Sequence, residues 1–133
     1  MVFRTGADLF EVGDFTSHAG LPLAWKIECD AIRPEWWEGL ACMIMDYQTE
    51  PFYKAEGIPR GGVSLGDALN KYASGNPQDP ILIADDVYTT GTSFREYCET
   101  FHKDKVVIKW CAFARKPTTD GVNALFTMPP EVK

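Results

Sequence analysis

The chain has 133 residues, of which 45% are hydrophobic and 13% aromatic, and its formal net charge is −6. That length suits a single domain with one packed core. The negative charge argues against nucleic acid as a partner and against a basic membrane-binding surface. No apolar run is long enough to span a bilayer, and the first residues lack the basic and apolar regions of a signal peptide. We therefore expect a cytoplasmic enzyme that acts on small molecules.

Strand and helix patterns alternate along the chain. The clearest helix covers Pro34–Tyr47, because proline stands in its first turn and apolar residues recur at helical spacing. The predicted order of elements implies a mostly parallel central sheet with helices on both faces, and it places ligands at the carboxyl ends of the strands. The predicted elements are strands over Trp25–Ile32, Phe52–Glu56, Ile81–Asp85 and Val106–Ala114, and helices over Pro34–Tyr47, Val63–Tyr72 and Ser93–His102.

We divide the single domain into three parts. Residues 25–115 form the α/β core, residues 1–24 precede it, and residues 116–133 form a tail. The tail carries three prolines and one short apolar segment, Ala124-Leu125-Phe126, whose phenylalanine is a candidate for stacking on a planar ligand.

The cysteines and histidines do not indicate a zinc site. No C-x-x-C spacing or Cys/His cluster occurs, and each cysteine falls within an apolar strand or helix pattern. We expect the cysteines to be buried core residues, and we expect His102, at a predicted helix end, to lie at the surface. The cysteines are Cys29, Cys42, Cys98 and Cys111.

The most informative stretch follows the apolar run at Ile81. Two neighbouring carboxylates, Asp85 and Asp86 (the acid pair), are followed by the hydroxyl turn, Thr89–Ser93. Carboxylates bind sugar hydroxyls or Mg²⁺, whereas exposed amides and hydroxyls at the start of a helix bind phosphate. The segment therefore indicates a sugar-phosphate site. The structural alternative is a buried strand leading into a helix that is capped by Thr92 or Ser93, but such a cap does not require two acids.

A second candidate loop lies one predicted strand earlier. The arginine loop, Gly57–Gly62, connects a strand to a helix. Arg60 offers a forked donor that suits phosphate oxygens. Gly61 and Gly62 permit close backbone approach, positive φ and a tight turn, so the loop suits a diphosphate. The alternative is an ordinary Gly/Pro turn with a solvated arginine.

These two motifs resemble those of a known family. Ile81–Ser93 resembles the phosphoribosyl pyrophosphate motif of the type I phosphoribosyltransferases, and the arginine loop resembles their pyrophosphate loop, which often contains a cis peptide. The resemblance implies a three-layer, Rossmann-like fold with a small N-terminal hood. It also implies that Asp85 and Asp86 contact the ribose, that Thr89, Thr90, Gly91, Thr92 and Ser93 bind the 5′-phosphate, and that Arg60, Gly61 and Gly62 bind pyrophosphate.

The resemblance further implies an activity. The chain would transfer phosphoribose to a nitrogenous base in nucleotide metabolism and release pyrophosphate, with Mg²⁺ as cofactor near Asp85 and Asp86, directly or through ribose hydroxyls and water. Catalysis would depend on the acid pair and Arg60, chiefly through positioning. A homodimer is a family-level expectation, and the Trp36-Trp37 pair in the first predicted helix does not establish it.

The acceptor is expected to be orotate-like. Thr89 stands where purine-salvage members carry an aspartate, and the first segment is similar to the hood of orotate phosphoribosyltransferases. On that reading Lys26 joins the acceptor pocket, together with Phe15, Thr16, Ser17 and His18. The alternative is an irregular strap along the sheet edge.

One departure from the family bears on catalysis. Only about twenty residues separate Gly62 from Ile81, where family members usually carry another strand and a long mobile loop that closes over the site. A noncatalytic domain that binds phosphoribosyl pyrophosphate or nucleotides therefore remains an alternative. A further alternative is another anion-binding α/β module that does not need the acid pair.

Overall fold

The computed structural model describes residues 10–16, 22–27 and 32–128. No helix within these ranges is both long and apolar enough to cross a membrane. The elements in chain order are β1 (Phe10–Thr16), β2 (Pro22–Ile27), α1 (Pro34–Tyr47), β3 (Ala55–Gly57), α2 (Val63–Asn70), β4 (Ile81–Tyr88), α3 (Thr92–Phe101), β5 (Val107–Ala114) and β6 (Val122–Thr127).

The central sheet has four strands in the order β3-β4-β5-β6, and every neighbouring pair is parallel. The predicted parallel sheet is thus confirmed, but two of its strands differ from the prediction. The apolar run at Trp25 belongs to β2, which pairs antiparallel with β1 in a separate two-stranded sheet. The fourth parallel strand is β6, which lies in the predicted tail. An apolar run indicates a strand but does not identify the strand with which it pairs. The sequence analysis therefore assigned the run at Trp25 to the central sheet and left β6 out of it.

Helices cover both faces of this sheet. On one face, α1 and α2 bury Trp37, Ile44 and Leu65 against Leu82 of β4. On the other face, α3 buries Phe94 in a smaller cluster, which contains Ile83, Cys111 and Val122. The sheet therefore lies between two layers of helices, with one apolar cluster on each face. Successive side chains of β4 point into one cluster and then the other.

Several predictions about burial are wrong. Cys111 is fully buried and Cys98 partly buried, but Cys42 lies on the exposed face of α1. Cys29 lies outside the described residues. His102 is only 8% exposed, because its ring turns back from the end of α3 to hydrogen-bond a carboxylate on β3. Trp36 is half exposed while Trp37 is buried, since adjacent helix positions point about 100° apart.

The connection between α2 and β4 is short and closely held. Residues 71–80 lie at the amino end of the sheet, where Ser74 donates its N–H to Phe52 O (2.8 Å) and Tyr53 donates its N–H to Pro80 O (2.7 Å). The Ser74 hydroxyl also lies 2.6 Å from an Asp79 carboxylate oxygen. This segment contains neither a strand nor a long loop, so it does not reach the carboxyl ends of the strands.

Candidate ligand site at the carboxyl end of the sheet

The acid pair lies within β4, which extends to Tyr88 rather than ending at Asp85 as predicted. Asp85 is buried and only 7% exposed, while Asp86 is half-buried. The Asp86 N–H donates to Asp85 Oδ1 at 2.9 Å, and the Val87 N–H donates to Asp86 Oδ1 at 2.7 Å. Backbone amides therefore hold both carboxylates in place at the edge of the sheet.

The acid pair is electrostatically unfavourable by itself. Burial, a hydrogen bond to the Asp86 carboxyl and the negative charge of Asp86 together raise the pKa of Asp85 to about 9. In the protein without a ligand the charged form of Asp85 is therefore disfavoured. Two acidic groups at one sheet edge form a place where a hydroxyl donor or a cation would stabilise the charge.

The arginine loop lies directly against the acid pair. Its Ile58 N–H donates to Ala84 O at 2.8 Å, which extends the pairing of β3 with β4, and the Gly62 N–H closes the loop on Ile58 O at 2.9 Å. The Pro59–Arg60 peptide bond is cis, a feature that the family resemblance implies. The two motifs that sequence analysis treated separately are thus adjacent in space.

Close packing explains why this loop requires glycine. A Cβ on Gly61 would overlap the Asp86 carboxylate, and a Cβ on Gly62 would lie 2.6 Å from Ala84 O and 2.9 Å from Asp85 Cα. Gly62 has φ −82°, so its glycine requirement comes from close approach and not from the positive φ that the sequence analysis also offered. The arginine loop therefore fits the acid pair with no room for a side chain.

The hydroxyl turn leads into α3 without a side-chain cap. The N-cap of α3 is Gly91, with φ +84° and no side-chain cap, and Thr92 is the first helical residue. The structural alternative, a helix capped by the side chain of Thr92 or Ser93, is therefore not what the structure has. Because no side chain occupies the helix start, its unpaired N–H groups face outward, and such a helix end attracts an anion. Thr92 and Ser93 lie exposed beside it.

Two arginines that sequence analysis missed lie at this same edge. Arg95, in the first turn of α3, donates from Nη2 to Thr92 Oγ1 at 3.2 Å and from Nη1 to Thr90 O at 3.4 Å. Arg115 is buried at the end of β5, and its N–H donates to Tyr88 O at 3.0 Å. The signal for Arg95 was its position four residues after Gly91. Arg115 carried no such signal, because only the sheet order brings the end of β5 beside β4.

The described structure does not show the predicted acceptor residues at this site. Lys26 lies in β2, in backbone register with Glu11 of β1, and Ser17 and His18 lie outside the described residues. Phe126 is 40% exposed on β6, with its ring stacked on Phe113 at a centroid distance of 5.9 Å. The assignment of Lys26 to an acceptor pocket stays a prediction.

The donor set at the acid pair limits how a metal ion would bind. Within the described residues no group of three or more His, Cys, Asp or Glu side chains converges. Two carboxylates fit a Mg²⁺ ion that keeps most of its coordination for water and ligand phosphate oxygens. The residues present are therefore compatible with Mg²⁺ that arrives with a phosphorylated ligand.

Comparison with known proteins supports the fold and not a specific activity. No protein-family model matches the chain, and no curated protein matches it. Among solved structures, it is similar to an orotate phosphoribosyltransferase from Aeropyrum pernix, with a TM-score of 0.71, 17% identity, and coverage of 90% of this chain and 88% of that one. A second orotate phosphoribosyltransferase, from Francisella tularensis, has a TM-score of 0.62 and 14% identity, with coverage of 90% and 80%.

A longer protein contains the same fold. The UMP synthase of Leishmania donovani matches with a TM-score of 0.71 and 15% identity over 90% of this chain, which spans 34% of that protein's chain. The α/β fold of this chain is thus that of the type I phosphoribosyltransferases. More particularly, it is similar to orotate phosphoribosyltransferases, which confirms at the level of fold the resemblance drawn from the motifs.

Proposed function

We propose that this chain is a phosphoribosyltransferase that binds phosphoribosyl pyrophosphate with Mg²⁺ and transfers phosphoribose to a nitrogenous base. The observation that carries the proposal is the contact between the arginine loop and the acid pair, where Gly61 leaves room for the Asp86 carboxylate. A ligand at this place would meet carboxylates and a phosphate-binding loop at once. Phosphoribosyl pyrophosphate carries the matching groups, ribose hydroxyls next to a diphosphate.

Each part of the site corresponds to one part of that ligand. Asp85 and Asp86 would accept hydrogen bonds from the ribose hydroxyls, and the hydroxyl turn would bind the 5′-phosphate with N–H groups at the start of α3. Arg60, which is exposed, would contact the pyrophosphate with the amides of the arginine loop. The strands hold these groups at one edge, so the ligand would bind without a large rearrangement of the sheet.

The reaction would be displacement of pyrophosphate from C1 of the ribose by a ring nitrogen of the base, through a transition state with positive charge on the sugar ring. The acid pair would fix the ring and favour that positive charge, while Arg60 would stabilise the negative charge on the leaving group. Mg²⁺ would supply additional neutralisation of the pyrophosphate. The protein's contribution is therefore mainly positioning and electrostatics.

The proposed acceptor is an acidic pyrimidine base. The fold is shared with orotate phosphoribosyltransferases, and orotate is a base that carries a carboxylate. Arg95 places a guanidinium beside the hydroxyl turn, where it would pair with an anionic group of a substrate. Because the hydroxyl turn is also the proposed 5′-phosphate site, Arg95 fits either that phosphate or the carboxylate of an acidic pyrimidine.

A turnover assay tests this proposal. Pyrophosphate release would be measured with phosphoribosyl pyrophosphate, Mg²⁺ and a panel of bases that includes orotate and uracil. We expect release with orotate, and about a tenfold loss in kcat/KM for Gly61→Ala, because the new Cβ displaces the Asp86 carboxylate. Gly39→Ala is the matched control, since its Cβ would meet nothing within 4 Å. The absence of release with every base would refute the transferase activity.

A second function is favoured by the connection between α2 and β4. Residues 71–80 are held at the amino end of the sheet, so no loop from this part of the chain closes over the ligand. A domain that binds phosphoribosyl pyrophosphate or a nucleotide without turnover would keep both ligand loops and need no such cover. Calorimetry distinguishes the two functions, because this alternative predicts binding of phosphoribosyl pyrophosphate in the absence of pyrophosphate release.

A further inference from the structure

Arg95, beside the hydroxyl turn, already has a carboxylate partner within the chain. Its Nη1 lies 3.5 Å from Asp120 Oδ2, and the two side chains are 54% and 52% exposed. The same guanidinium contacts Thr90 O and Thr92 Oγ1. The cation that faces the candidate ligand site is therefore shared between the hydroxyl turn and an internal acid.

The segment that carries Asp120 is anchored to the site. It connects β5 to β6, and its Thr119 is bonded twice to the buried Tyr88 hydroxyl, through Oγ1 at 3.0 Å and through its N–H at 3.1 Å. The Lys109 ammonium donates to Asp120 O at 3.0 Å. Tyr88 itself ends β4 and lies directly against Gly91, whose Cβ would be 3.1 Å from the Tyr88 ring. The position of Asp120 is thus tied to the hydroxyl turn.

The backbone at Asp120 adopts a left-handed conformation. Asp120 has φ +58° and is followed by Gly121 with φ +75°. Aspartate, asparagine and glycine tolerate this left-handed region better than other residues do. Asparagine at this position would therefore keep the turn while removing the charge, which makes the role of the carboxylate separable from the role of the loop.

We propose that Asp120 is an internal counter-ion that holds Arg95 in the ligand-free protein and competes with an anionic group of the substrate for it. This inference rests on the proposed function, because it concerns regulation of the same site. The anionic group is either the carboxylate of an acidic base or the 5′-phosphate of phosphoribosyl pyrophosphate. Asp120 is a positioning residue, since it acts through Arg95 and contacts no substrate in this proposal.

Asp120→Asn tests the competition directly. Dissociation constants for orotate, uracil and phosphoribosyl pyrophosphate would be measured by calorimetry, with KM and kcat wherever turnover occurs. We expect the variant to bind one of the two anionic ligands about two- to fivefold more tightly, which is the scale of an exposed ion pair, with kcat and the constant for uracil unchanged. Tighter binding of orotate assigns the carboxylate to Arg95, and tighter binding of phosphoribosyl pyrophosphate assigns the phosphate.

Matched variants separate this effect from net charge and from folding. Asp104→Asn removes the same charge from another residue with positive φ, at 64°, in the turn before β5. We expect it to bind all ligands as the wild type does. In an Arg95→Gln background, Asp120→Asn should have no effect. Asp120→Gly, which also suits positive φ, should reproduce the gain if the asparagine variant is unstable.

Different results would refute the role of Asp120 and the proposed function. Unchanged affinities for both anionic ligands, or the same gain in Asp104→Asn, would overturn the role of Asp120 while leaving the transferase proposal intact. If neither phosphoribosyl pyrophosphate nor orotate binds any variant, the proposed function fails. A titration with inorganic phosphate then decides the role of Asp120 alone, because equal affinity in wild type and Asp120→Asn would overturn it.

Discussion

Two carboxylates on neighbouring strands of this protein, the half-buried Glu56 and the buried Asp85, have opposite surroundings. Glu56, on β3, accepts hydrogen bonds from the Tyr97 hydroxyl at 2.9 Å and His102 Nε2 at 2.7 Å, and Lys54 pairs with it at 3.0 Å. Asp85, one strand away, has a second acid as its neighbour. Glu56 has three side-chain partners that carry donors, whereas the donor to Asp85 is the backbone N–H of Asp86.

The pKa values express this difference. Burial raises the pKa of Glu56, but the hydrogen bonds from His102, Lys54 and Tyr97 outweigh it and lower the pKa to about 2. Burial and the adjacent acid raise the pKa of Asp85 to about 9. A carboxylate whose donors lie within the protein stabilises the fold, because it ties β3 to α3. A carboxylate whose neighbour is a second acid is better explained by a ligand that supplies a hydroxyl donor or a positive charge.

The largest expected effect is on ligand binding at the acid pair. Asp85→Asn combined with Asp86→Asn should weaken phosphoribosyl pyrophosphate binding by about 100-fold, because hydrogen bonds to charged acceptors are lost, while circular dichroism shows an unchanged fold. Calorimetry with Mg²⁺ measures the affinity. Asp46→Asn with Asp67→Asn is the control, since both are exposed helix residues and the two substitutions are chemically the same. Equal affinity in the acid-pair variant would exclude this site.

A smaller effect is expected on stability at Glu56. Glu56→Gln should lower the free energy of unfolding by about 2 kcal/mol, because the amide cannot replace a charged acceptor of several donors. Urea denaturation gives this value. Glu99→Gln, on the exposed surface of α3, is the matched control and should change stability by less than about 0.5 kcal/mol. If the two variants were equally stable, Glu56 would not be the structural carboxylate of this comparison.

The smallest effect, opposite in sign for the two carboxylates, is on the pH dependence of stability. The pKa of Asp85 is about 9 in the folded protein against an ordinary 3.8, so the folded state retains a proton that the unfolded state loses. The Asp85 carboxyl therefore lowers the free energy of unfolding as pH rises from about 4 towards 9. Asp85→Asn should therefore gain stability relative to wild type as pH rises over that range.

Glu56 should act in the other direction. Its pKa is about 2 in the folded protein against an ordinary 4.5, so its contribution is present above pH 4.5 and is lost as pH falls towards 2. The stability difference between wild type and Glu56→Gln should therefore shrink below pH 4. Urea midpoints from pH 3 to pH 9 test both trends, and a pH-independent difference for either variant would contradict its assigned role.

Much of the site was predictable because its parts are local in sequence. The acid pair, the hydroxyl turn and the arginine loop each occupy a few consecutive residues, and strand–loop–helix patterns place all of them at the carboxyl ends of strands. The helix over Pro34–Tyr47 was predicted with its observed bounds, because proline and a regular apolar face mark it. Local chemistry with a regular period is what a sequence displays directly.

The remaining features depend on which segments meet. His102 was placed at the surface because nothing near it in sequence shows that Glu56, 46 residues earlier, lies beneath α3. The strand β6 was assigned to the tail because its short apolar run pairs with β5 only in the folded sheet. Arg95 and Asp120 are 25 residues apart, and the anchoring of Thr119 to Tyr88 is the reason they meet.

The sequence by itself therefore determined the kind of groups this protein offers to a ligand: two carboxylates, a Gly-containing turn and an arginine loop. Only the tertiary structure decided that Gly61 lies against the Asp86 carboxylate with no room for a side chain. It also decided that Asp85 lies buried next to another acid and that Arg95 lies at the same edge of the sheet. Those outcomes follow from strand order and close packing, which no local pattern encodes, because they depend on pairings between distant segments of the chain.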